Sequence, residues 1–219
     1  MKKYNEQELI QNYERFIGFV KKAFAKNQKR LDHLLHMYSD DELGQELVMA
    51  PASSNINFHS AYPGGYIDHI MNVCKYTYKF KDMLQTEGGN INFTDEEMLF
   101  AAVHHDLGKL GDGNNPYYIP EDSEWHIKNR GMVYKVNPKL NWMQVSDRTF
   151  HLLNKYEIAY SENEFLGIKL ANGVYDDDAK PYFINYRDGG ALKTELPYLI
   201  HWADHFSVRI EVGHQKNKK

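Results

Sequence analysis

Three adjacent residues, His104, His105 and Asp106, run directly into Leu107-Gly108-Lys109. Imidazole and carboxylate together offer the N and O donors that suit a divalent transition metal, Mg or Mn. Neighbours in a regular helix point about 100° apart, so His105 and Asp106 cannot share one of its stripes. At a fraying helix end both can turn toward one cation, and Gly108 and Gly111 supply such an end. Two ligands do not make a site; any others must come from elsewhere in the chain.

The element that delivers this triplet is legible. Thr94 with Glu97 three residues on forms a capping box. The segment Met98 to Val103 is then apolar nearly all round, which marks a central, buried helix. Polar groups at the end of a buried helix need partners, and a metal would provide them. Two further elements carry candidate ligands. A helix from about Tyr66 to Gln85 turns Ile67, Ile70, Val73, Cys74 and Tyr78 inward and places His69 one turn from its start, beside that stripe. A histidine at the edge of an apolar face is often only structural, and both readings of His69 stay open on this ground. A last helix, capped by Thr194, sets His201, Asp204 and His205 at i, i+3 and i+4, on one face.

The rest of the chain is mainly helical in pattern. Leu9, Ile10, Tyr13, Phe16, Ile17, Val20 and Phe24 make one amphipathic helix, and Leu31, Leu34, Leu35 and Tyr38 a second, with His33 and His36 on its flanks. Asp40 or Asp41 is expected to cap a short helix through Leu47. Pro51 to Gly65 is loop by composition and contains His59. Ser146 is expected to cap a helix to Tyr156, and Ser161 with Glu164 forms a second capping box. Asp176-Asp177-Asp178 reads as a solvated loop without calcium-loop spacing, and Arg187 to Gly190 as a turn. Alternation on either side of Asn129-Arg130-Gly131 predicts a small β-hairpin near 125–136. The expected fold is all-α, about seven to nine helices with that one excursion. Residues 1–47 are read as N-terminal helices packing on a core of residues 48–212, with a disordered basic tail over 213–219.

Composition narrows the function classes. The chain has 219 residues, enough for one domain with a real core. Its single cysteine, Cys74, excludes an internal disulfide and a cysteine-based zinc site. No apolar leader opens the sequence and no run is long enough to span a membrane, so a cytoplasmic protein with no membrane partner is expected. The net charge of −4 argues against broad grip on long nucleic acid. That charge is uneven: residues 126–148 carry +4, from Lys128, Arg130, Lys135, Lys139 and Arg148 against Asp147.

The motifs together resemble those of the HD-domain superfamily of metal-dependent phosphohydrolases. Gly64-Gly65-Tyr66-Ile67-Asp68-His69 is similar to the Gly-Gly-Leu-x-x-His entry to that family's first ligand helix. Ala101 to Lys109 resembles its Ala-x-Leu-x-His-Asp-Ile/Leu-Gly-Lys core, and His201-Trp202-Ala203-Asp204 its closing His-x-Ala-Asp. The stretch from Ala50-Pro51-Ala52-Ser53 to His59 is similar to stand-alone HD proteins related to bacterial 3′–5′ exoribonucleases. The resemblance spans roughly residues 48–212. It implies that His69, His105, Asp106 and Asp204 hold one divalent ion, which could be Mn, Mg, Fe, Co, Ni or Zn. It implies hydrolysis of a phosphoester or phosphoanhydride by a metal-activated water. Lys109, His59, His104, Arg148 and His151 are candidates for phosphate contact or proton transfer. Lys128, Arg130 and Tyr134 are candidates for holding a small phosphorylated ligand, cations for phosphate and a ring for the base.

Departures from the family pattern sharpen this. Lys169-Leu170-Ala171-Asn172-Gly173 stands where two-metal members carry further histidines, which favours one ion and counts against the cyclic-di-GMP phosphodiesterase and di-iron oxygenase subgroups. A counterpart of the exoribonucleases' OB-type domain is not expected. A nucleotide or short oligonucleotide is therefore the expected substrate. The alternatives are a nuclease or phosphodiesterase on longer RNA or DNA, and a nucleotide-binding HD protein without turnover. The sequence does not fix the oligomeric state.

Overall fold

Thr94 opens the helix that ends in the His-His-Asp triplet. Its side chain accepts the Glu97 N–H at 3.1 Å while the Glu97 carboxylate accepts the Thr94 N–H at 2.8 Å. Two otherwise orphaned N–H groups are thereby satisfied. In the computed structural model, which describes residues 3–185 and 188–216, this helix is Asp95–His104. The fold is all-α, with ten α-helices among the described residues and one two-stranded antiparallel sheet.

The chain divides into two compact units. The first comprises Met1–Met71, Leu107–Ala159 and Val208–Lys219. It contains α1 (Glu6–Ala23), α2 (Gln28–Met37) and α3 (Gly44–Met49), with α1 packed on both of the others. Phe16 and Val20 of α1 are fully buried, as are Leu34 and Met37 of α2, and Phe16 meets Tyr38 edge-on at 5.2 Å. Each such side chain contributes about 1.5–3 kcal/mol by leaving water. The unit also holds the start of α4 (Gly65–Thr86), a 3-10 turn (Leu107–Leu110), α6 (Glu124–Arg130), α7 (Val145–Lys155) and the end of α10 (Leu196–Lys216). The 3-10 turn packs on α7, and the Gly108 N–H donates to the Thr149 hydroxyl at 2.9 Å.

The second unit comprises Asn72–Asp106 and Tyr160–Ser207. It contains the remainder of α4 and of α10, α5 (Asp95–His104), α8 (Glu162–Lys169) and the short α9 (Lys180–Phe183). Residues 98–104 of α5 are all buried, as their uniform hydrophobicity requires. The α5 and α8 backbones come close because Gly167 faces Ala101: a Cβ there would stand 2.8 Å from the alanine methyl.

Several sequence expectations are corrected. The β excursion exists, but its strands are β1 (Tyr118–Pro120) and β2 (Tyr134–Val136), with Ile119 opposite Lys135. Residues 125–128, expected as the first strand of a hairpin, and residues 129–130 of its expected turn lie instead in α6 (Glu124–Arg130). Ser123 caps it by accepting the His126 N–H, and Gly131, at φ 67, is its left-handed C-cap rather than a hairpin turn. Neither Asp40 nor Asp41 caps α3; its N-cap is Leu43 with no side-chain bond, and the preceding turn is closed by the Gly44 N–H on the Ser39 carbonyl at 2.8 Å. Ser146 lies inside α7, whose N-cap is Gln144. The last helix continues to Lys216, through positions expected to begin a tail; residues 217–219 and Arg187 of the expected 187–190 turn lie outside the described residues. Among the described residues no helix is long and apolar enough to cross a membrane.

Candidate metal centre

His105 caps α5 and is almost fully buried. Its Nδ1 lies 2.9 Å from the Ala102 carbonyl oxygen. A carbonyl only accepts, so Nδ1 carries a hydrogen, and in the neutral tautomer this sets the lone pair on Nε2. Two carboxylates converge on that nitrogen. Asp106 Oδ2 is 3.6 Å from it and Asp204 Oδ1 3.9 Å. These separations are too long for hydrogen bonds. They approach the roughly 3–3.5 Å expected between donors sharing one ion at about 2.1 Å. Asp204 comes to this point from α10, while its helical neighbours turn elsewhere. His201 Nδ1 donates to the Ala171 carbonyl at 2.9 Å, and the His205 ring stacks on Tyr175.

His69 lies in the first turns of α4 and is fully buried. Its Nδ1 faces the Glu211 carboxylate at 3.3 Å. The neighbouring Asp68 is held by the Tyr4 hydroxyl at 2.9 Å, the Tyr62 hydroxyl at 2.9 Å and Arg15 at 3.2 Å, so this end of α4 is anchored from three directions. Burial and the Asp68 charge together push the Tyr62 phenol well above its ordinary range, keeping it a donor. The His59 ring stands 4.5 Å from that of His69, and ligand atoms of His59, His69 and Glu211 lie within 4.8 Å of one another.

His105 and Asp106 are both buried, and Asp204 approaches them within the same unit. The donor types, neutral imidazole nitrogen and carboxylate oxygen, fit a divalent first-row ion or Mg.

The other candidates fall in varied settings. His104 is fully buried, with Nδ1 on the Phe100 carbonyl at 2.7 Å and its ring 4.3 Å from that of Phe100. Lys109 is half-buried; its Nζ donates to the Ala52 carbonyl at 3.1 Å. It also lines a largely apolar cavity of about 260 Å³, together with Tyr134, Tyr117, Pro51 and Glu46. Burial raises the Tyr134 phenol above its ordinary value. Arg148 is buried in α7 and donates to the Asn141 carbonyl, while His151 lies on the exposed face of that helix. Lys128 pairs with Glu124 on the exposed side of α6, and the Arg130 guanidinium lies 5.1 Å from the centre of the Trp125 ring.

Glu211 is the residue that the sequence reading missed. A signal existed: it follows Asp204 by seven positions, which on a helix places both on one stripe. Comparison with family models, curated proteins and solved structures finds no match to this chain.

Proposed function

We propose that this chain is a metal-dependent phosphohydrolase acting on a nucleotide or a short oligonucleotide, with His69, His105, Asp106 and Asp204 holding one divalent ion. The observation that carries the reading is the setting of His105. Its tautomer is fixed by the Ala102 carbonyl, and two carboxylates approach its remaining nitrogen. A bound ion would supply a lowered water pKa and charge neutralisation on the phosphoryl group. The chain's own part is to orient donors and receive the substrate. His105 holds its Nε2 lone pair in one direction, and Asp106 and Asp204 bring negative charge to the same point. Lys109 follows Asp106 by three positions and is the nearest cation in sequence for a phosphate oxygen. The apolar cavity that Lys109 and Tyr134 share would suit a flat base. The order of ligand motifs along the chain, with its resemblance to HD proteins, supports the same reading.

The test begins with elemental analysis of the protein as purified. Phosphate release is then measured across mononucleotides and a labelled 20-mer, with Mn, Mg, Co, Ni and Fe(II) supplied in turn. The expected result is turnover of the small substrates, lost in Asp106→Ala together with the bound metal. An Asp106→Ala protein with full metal content and full turnover would sink the proposal. Cleavage confined to the 20-mer would replace it with a nuclease, and nucleotide binding without phosphate release under every metal with a sensor.

A further inference from the structure

Beyond the four proposed ligands, we propose that Glu211 is a positioning residue that fixes the tautomer and direction of His69; this rests on the metal reading above. Glu211 is buried, with relative exposure of 9%. A carboxylate taken out of water needs donors for both oxygens, and each finds one here. Oε2 accepts the Ser60 hydroxyl at 2.9 Å, and Oε1 faces His69 Nδ1 at 3.3 Å. An ionised carboxylate only accepts, so Nδ1 carries the hydrogen and Nε2 becomes the ligand nitrogen. Outer partners of this kind orient a metal-binding imidazole and raise its basicity. Glu211 would do for His69 what the Ala102 carbonyl does for His105, with a full negative charge instead of a dipole.

The surroundings of Ser60 point the same way. Ser60 adopts φ 46, in the left-handed region that non-glycine residues rarely occupy. Its carbonyl oxygen accepts the Ala52 N–H at 3.0 Å and the Tyr62 N–H at 2.9 Å. Gly65 sits against that oxygen so closely that a Cβ would stand 2.0 Å away. The loop thus holds a strained residue whose hydroxyl meets the Glu211 carboxylate.

The competing role is that of a ligand, since His59, His69 and Glu211 are near enough to surround a second ion. That arrangement asks His69 to give Nδ1 to one ion and Nε2 to the other, which requires a fully deprotonated ring. The present Nδ1–carboxylate approach needs no such step, so positioning is the role the geometry favours.

The test is titration of the full-length chain with Co(II), followed by calorimetry and by the visible spectrum of the bound ion, for wild type, Glu211→Gln and Glu211→Ala. Circular dichroism checks the fold of each. Positioning predicts one ion per chain throughout. Glu211→Ala should lose about 10–100-fold in affinity and show a shifted Co(II) spectrum. Glu211→Gln, whose amide oxygen still accepts from Nδ1–H, should recover most of the affinity with a smaller spectral shift. If Glu211→Ala does not fold, the Gln variant decides alone, and a spectrum identical to wild type overturns the proposal. Affinities equal to wild type in both variants overturn it as well. A fall from two ions to one makes Glu211 a ligand and also overturns it. Wild-type protein that binds no Co(II) removes the metal reading itself, a result distinct from these.

Discussion

The Ser161 hydroxyl donates to Oε1 of Glu97 at 2.7 Å, so the N-cap of α8 is bonded to the capping carboxylate of α5. Two capping boxes, each closed locally, are joined by this bond. The helix that presents His105 is thereby tied at its far end to the helix packed alongside it.

A dependence on pH follows. Burial pushes the Glu97 carboxyl up, but bonds from the Thr94 N–H, the Ser161 and Thr94 hydroxyls and Asn163 outweigh it and leave the group below its ordinary value of 4.5. A carboxyl lowered in the folded state stabilises the fold above its unfolded pKa, and that contribution is lost as pH falls through the folded value. Melting temperature should therefore decline on acidification below 4.5, and Glu97→Gln should flatten that decline. Identical acid limbs for the two proteins in calorimetry would contradict this.

His104 is expected to act in packing rather than in metal binding. His104→Ala empties a fully buried position and should cost about 2–4 kcal/mol in urea unfolding. His104→Phe keeps a ring against Phe100 and loses the bond to its carbonyl, at a cost of about 1 kcal/mol. Metal stoichiometry should stay at the wild-type value in both. A well-folded His104→Phe protein with no metal or no turnover would show that the residue has a chemical role.

Gly65 and Gly18 should respond oppositely to alanine. At Gly65 the new Cβ would stand 2.0 Å from the Ser60 carbonyl oxygen, so backbone must move, at about 1–3 kcal/mol. Because His69 is four residues further along α4, Co(II) affinity should fall as well. At Gly18, inside α1, nothing lies within 4 Å of an added Cβ. Gly18→Ala should stabilise by about 0.5–1 kcal/mol through the unfolded chain. Denaturation midpoints of the two variants check both signs.

Cys74 provides a probe of α4. Burial pushes its thiol up to about 12 from 9.0. A thiol raised in the folded state stabilises the fold below its unfolded pKa, and the benefit fades as pH climbs from 9.0 toward about 12. At pH 8 a thiol reagent should leave the native chain unlabelled and label one cysteine per chain in denaturant. Rapid labelling of the native protein would mean that α4 opens.

Much of this architecture was legible in the sequence because its determinants are local. Thr94 with Glu97 and Ser161 with Glu164 announce their helices within four residues, and both capping boxes form. The segment 125–136 misled because Gly131 serves equally as a hairpin turn or a left-handed C-cap. The choice is made by Ser123 and by the distant partner strand at Tyr118–Pro120, neither of which the alternation around Gly131 reveals. The same distinction runs through the candidate site. His105-Asp106 is a dipeptide signal. Which nitrogen of His105 carries the hydrogen depends on the path of the Ala102 carbonyl. Glu211 meets Ser60 across 151 positions of chain, and spacing within α10 could have named it only once Asp204 was already suspected.

The spacing of Asp204 and Glu211 also bears on how this chain can vary in length. Seven residues on a helix advance about 10.5 Å and nearly two full turns, so α10 acts as a ruler between its two carboxylates. Insertion or loss of one residue between them would rotate one by about 100° relative to the other. Many exposed positions of α10, such as Trp202, Phe206 and Arg209, can change identity without disturbing that relation. On the proposed metal reading, the interval from 204 to 211 is thus constrained in its number of residues more tightly than in their kind.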